Sequence, residues 1–75
     1  MKKTVNAVQM IERENGNYDV INYHNPIKLF ENGKQVGVSY KIAYNMDYKM
    51  ALAELRRAEA RVVRKHGTFL IEVEA

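Results

Sequence analysis

Residues 26–45, "PIKLFENGKQVGVSYKIAYN", constrain this chain most. Val36, Val38, Tyr40, Ile42 and Tyr44 take every second position, with Gln35, Gly37, Ser39, Lys41 and Ala43 between them. Successive side chains of a strand point to opposite faces, so this alternation predicts a half-buried strand with one apolar face. Upstream, Asn32-Gly33 is a preferred pair for a two-residue type I′ turn, because both residues tolerate positive φ. A turn there sets Glu31 against Lys34, Leu29 against Val36 and Ile27 against Val38. Apolar residues then meet apolar ones and opposite charges meet, so pattern and turn agree. Pro26, without an N–H, suits the first residue of the leading strand.

A second Asn-Gly lies at Asn15-Gly16, within "QMIERENGNYDVINYH". The same turn type pairs Arg13 with Tyr18, Ile11 with Val20, Met10 with Ile21 and Val8 with Tyr23. It also sets Glu12 against Asp19, a mild repulsion. A helix is the competing reading, since Val5, Val8 and Ile11 stand at helical spacing and Gly16 could terminate it. The β-branched residues and the strand-like segment that follows favour the hairpin.

From Asp47 the period changes. "YKMALAELRRAEA" is rich in helix formers, Asp47 is an N-cap candidate, and Gly67 suits the left-handed residue that ends a helix. Tyr48, Ala51, Leu52, Leu55, Val62 and Val63 gather on one side of the helical wheel, with Glu59 near the centre of the stripe. "TFLIEVEA" then returns to alternation, with Phe69, Ile71 and Val73 on one face. The expected order is β-β-β-β-α-β: an α+β fold in which two hairpins and a C-terminal strand form one mainly antiparallel sheet under a single helix. A last strand parallel to the fourth would make the helix a right-handed crossover.

Seventy-five residues form a single small domain with a modest core, for which oligomerisation is a natural supplement. Hydrophobic content of 47% and charged content of 28% are those of a globular chain. No cysteine is present, which excludes disulfides, thiolate metal sites and a cysteine nucleophile. No apolar run approaches the roughly 20 residues of a membrane-spanning helix, and "MKKTVNAVQM" lacks the apolar core of a signal peptide. A cytoplasmic location fits these features.

Few residues suit catalysis. Ser39 has no glycine-rich elbow before it, His24 has no second ligand at metal spacing and reads as a surface turn residue, and His66 reads as a capping or packing residue in the last helical turn. Glu59 on an apolar stripe must be paired, protonated or near an open edge. The glycines are accounted for by turns, a sheet face and a cap, so no phosphate loop or cofactor site is expected. A non-enzymatic role follows.

What stands out is "RRAEARVVRKHG", residues 56–67, with four of the chain's five arginines. Arg57, Arg61 and Arg64, at i, i+4 and i+7, form one ridge, with Lys65 beside it and Arg56 nearer the core boundary. Cations in the last turn complement the helix dipole, which accounts for Arg64, Lys65 and His66 but not for Arg57 and Arg61. Arginine's planar fork suits paired contacts with carboxylate or phosphate, whereas lysine serves solubility equally well. The net charge of +3 fits a partner protein with an acidic surface. The chain then reads as a small binding module of regulator or inhibitor type, of a size seen among phage proteins. Nucleic-acid phosphates are the alternative partner, and a homo-oligomeric structural part, with the sheet edges as a pairing surface, is a third reading.

Overall fold

The structure, a computed structural model, describes residues 1–74. It has seven strands and one helix: β1 (Lys2–Asn6), β2 (Val8–Glu12), β3 (Tyr18–Asn22), β4 (Ile27–Glu31), β5 (Lys34–Ser39), β6 (Lys41–Met46), α1 (Tyr48–His66) and β7 (Leu70–Glu74). The fold is α+β and every strand pairing is antiparallel, but the strands form three ladders rather than one sheet: β1–β7, β2–β3–β6 and β4–β5. The expectation of a single sheet is corrected on this point. β7 lies antiparallel to β1, with Val5 opposite Ile71, so α1 is not a crossover between parallel strands.

The three ladders arise because two long strands each change partner midway. Residues 2–12 turn a corner at Ala7, which is fully buried. Its N–H donates to the Phe69 carbonyl at 2.7 Å and its carbonyl accepts from the Tyr23 N–H at 2.8 Å. Residues 34–46 turn at Tyr40, whose carbonyl accepts from the Asn22 N–H at 2.8 Å. Both corners therefore meet at Asn22 and Tyr23, where the Tyr23 and Tyr40 rings lie 5.2 Å apart. Backbone groups released at each break are satisfied there, which lets the strands bend.

Both Asn-Gly turns exist, with different registers. Asn32 and Gly33 have φ of 52° and 79°, as a type I′ turn requires, and Glu31 opposes Lys34. A bulge between Leu29 and Phe30 then sets Leu29 against Gly37 and Lys28 against Val38, not Leu29 against Val36. At the other turn the loop has three residues, Glu14 to Gly16. Gly16, at φ 86°, donates to the Arg13 carbonyl at 3.0 Å, and the Arg13 N–H donates to Asn17 at 2.7 Å. The extra residue moves the register by one: Glu12 faces Tyr18, and Ile11 rather than Glu12 faces Asp19. The repulsion expected from the sequence is thereby avoided.

Helix α1 forms as its sequence dictates. The Asp47 carboxylate accepts from the Met50 N–H at 2.9 Å, and Gly67, at φ 79°, donates its N–H to Val63 at 2.8 Å. The helix lies on β2, β3 and β6. Ala51, Ala58 and Val62 are its buried residues, with Leu55 packed beside them, so the stripe follows i, i+4, i+7, i+11. Ala58 occupies the centre that the wheel gave to Glu59; Glu59 is half-buried at the flank, and Tyr48 and Val63 are largely exposed. The sheet contributes Ala7, Val8, Val20 and Ala43 to this small core.

The hairpin β4–β5 stands outside the core. Every residue of β4 is exposed, and Val36 and Val38 belong to the surface rather than to a half-buried face. Alternation identifies an apolar face but not what covers it. The Cα radius of gyration is 13.4 Å, against about 11 Å for a compact chain of this length.

Candidate functional site

The five basic residues singled out from the sequence lie between the middle and the C-terminal end of α1, and all five are exposed. Arg57 is held by Glu54 one turn earlier. Among the described residues, Arg56, Arg61, Arg64 and Lys65 have no carboxylate within ion-pair distance. Four of these five cations are therefore without a counter-charge among the described residues.

On the inner flank of this helix end lies a cleft of ≈ 370 Å³ between α1 and the chain following β3. Arg61, Lys65 and His66 line it from the helix; Asn22, His24 and Asn25 line it from the opposite side. Neither histidine was assigned to the site from the sequence, because the 41 residues between them conceal their proximity. The two rings stack at 3.8 Å with an interplanar angle of 12°. His24 lies in a turn, as expected, but is half-buried rather than on the surface; its backbone N–H donates to Asn22 Oδ1 at 2.9 Å, and its Nε2 is buried without a hydrogen-bond partner. Burial holds the His24 pKa below the usual 6.5, and the neighbouring His66 and Lys65 add to that effect. The only sequence signal available was the pairing of a histidine at a strand end with another at a helix end.

The other charged cluster is structural. Asp19, on the central strand β3, is buried and accepts from Arg13 Nε at 3.0 Å, Lys41 Nζ at 2.9 Å and the Asn45 backbone N–H at 2.9 Å. Asn45 has φ 53°, and its side-chain oxygen accepts from Asn15 Nδ2 at 2.9 Å. The carboxylate thus ties the first hairpin loop to an irregular point in the β3–β6 ladder.

Among the described residues, no group of three or more histidine, aspartate or glutamate side chains is placed to hold a metal ion. No helix among them is long and apolar enough to cross a membrane. Comparison of the chain with models of protein families, with curated proteins and with solved structures returns no match.

Proposed function

We propose that this chain is a small non-catalytic binding module, a regulator or inhibitor that docks on an acidic surface of a partner protein through Arg57, Arg61 and Arg64, with Lys65 and Arg56 at the margins. The observation that supports this reading is the exposure of Arg56, Arg61, Arg64 and Lys65 without an ion-pair partner among the described residues. Like charges at i, i+4 repel by a few tenths of a kcal/mol per pair, a cost that carboxylates on a partner would reverse. Complementary charge accelerates encounter and fixes orientation more than it deepens affinity.

The test is capture of a partner by wild type and by the Arg57→Ala/Arg61→Ala/Arg64→Ala variant. Binding is expected to weaken by roughly 10- to 100-fold. Equal capture by both proteins would remove the ridge from the mechanism. Binding to duplex nucleic acid, with a log–log salt slope of about −3 for three phosphate contacts, would favour phosphates as the ridge's target instead.

A further inference from the structure

We infer that the cleft between α1 and the chain after β3 binds a phosphate-class oxyanion, gripped by Arg61, Lys65, His66 and His24. Four basic side chains converge there from two elements, accompanied by the amides of Asn22 and Asn25. That number of donors exceeds what a carboxylate's two oxygens require and matches the three or four oxygens of a phosphate group. Glu54 also lines the cleft, but its charge is taken up by Arg57, which leaves the cleft cationic. The stacked imidazoles provide the second observation. Two rings 3.8 Å apart beside Lys65, with no carboxylate paired to them among the described residues, leave His24 Nε2 buried without a hydrogen-bond partner. A bound dianion supplies one.

Ligand binding and protonation are then linked. The groups facing His24 are Lys65, His66, Arg61 and Glu54 from the helix, whereas Asn22, Asn25 and Ile42 on the other side do not titrate. An anion in the cleft favours the imidazolium form, so binding takes up a proton and strengthens as pH falls from about 8 to about 6. Arg61 and Lys65 are shared with the partner-docking surface, but His24 and His66 lie outside it, so substitutions at the histidines test the cleft separately.

The experiment follows the His24 and His66 ring resonances by NMR while inorganic sulfate or phosphate is added at constant ionic strength, with chloride as control. Sulfate keeps its charge across this pH range and isolates the histidines' own contribution. Saturable shifts of both rings and a rise in their apparent pKa are expected. Both effects should be lost in His24→Gln, read at His66, and retained in Arg64→Ala. Identical titrations in sulfate and chloride would overturn the proposal, as would an unchanged sulfate response in His24→Gln. Neither result bears on whether the ridge binds a protein.

A separate observation carries a second proposal: the projecting hairpin β4–β5 is where two copies of this chain meet. The accessible surface is 5618 Å², against about 4700 Å² for a compact monomer of this mass. The excess, about 900 Å², is close to the ~800 Å² that each partner contributes to an interface of standard size. Much apolar surface lies on this hairpin, where Phe30 is 63% and Val36 59% exposed. β4 and β5 pair only with each other, so each retains an open edge. The hairpin carries two lysines against one glutamate, far less positive charge than the end of α1, so a second copy meets little repulsion there.

Sedimentation equilibrium at high micromolar concentration is expected to give twice the chain mass for wild type. The Phe30→Lys/Val36→Lys variant, checked for its fold by circular dichroism, should associate at least about tenfold more weakly. A wild type that stays at single-chain mass sinks the proposal, and so does a folded variant that associates as tightly as wild type.

Discussion

Asp19→Ala is expected to lower the thermal midpoint by roughly 10–20 °C, among the largest effects of any single substitution in this chain. Asp19 is 3% exposed and accepts three charge-assisted or backbone hydrogen bonds, from Lys41, Asn45 and Arg13. Losing them, and leaving the Asn45 N–H without its partner, costs about 2–3 kcal/mol. That is a large part of the roughly 4–11 kcal/mol total available to a domain of this length. The Lys41 ammonium, the Asn45 N–H and the Arg13 guanidinium outweigh the opposing effect of burial and hold the carboxyl pKa at about 2, down from 3.8.

The pH dependence follows from that direction. The pKa is depressed on folding, so Asp19 contributes its full stability above the unfolded value, near pH 4. The contribution is lost as pH falls through that value towards about 2. Thermal melts from neutral pH down to about pH 2 should show a steeper decline for wild type than for Asp19→Asn, which has no such proton to gain. Parallel declines in the two proteins would mean that this carboxylate does not anchor the loop.

The second large effect separates two alanines two residues apart. Ala58 is fully buried where α1 meets the sheet, whereas Ala60 faces solvent. Leucine at position 58 adds three carbons to a contact made largely by alanines and must lift the helix from β2 and β3. It is expected to destabilise by about 1–3 kcal/mol, or roughly 5–20 °C in midpoint. Leucine at position 60 should stay within about 0.5 kcal/mol of wild type, since leucine is nearly as good a helix former as alanine. Equal midpoints for the two variants would contradict the helix orientation.

This pair also shows where sequence reading stopped. The wheel placed Glu59 at the middle of the buried stripe because Leu52, Val63 and Tyr48 weighed on the average direction. The helix instead rests on its smallest residues, with Tyr48 at the rim against the Tyr18 ring, 5.8 Å away. Bulky side chains signal burial in composition, but close approach of a helix to a sheet selects alanine. The Val36-to-Tyr44 alternation misled for a related reason. Its period is correct for extended chain, yet the strand breaks at Tyr40: Ala43 joins the core while Val36 and Val38 remain in solvent. The arginine ridge was legible because i, i+4 spacing fixes a helix face once the helix is given. The His24–His66 stack was not, since no local pattern joins residues on different elements.

The sequence by itself determined the positive-φ turn at Asn32-Gly33, the Asp47 and Gly67 caps, the extent of α1 and the extended character of the rest. Each of these is set by backbone preferences and side chain–backbone bonds within a few residues. Tertiary structure alone decided that strands bend at Ala7 and Tyr40, that Asp19 is buried between two cations, that the histidines stack, and that one apolar hairpin lies outside the core of its own chain. Those outcomes depend on which surfaces exclude water from one another, a property of the assembled chain and not of any segment.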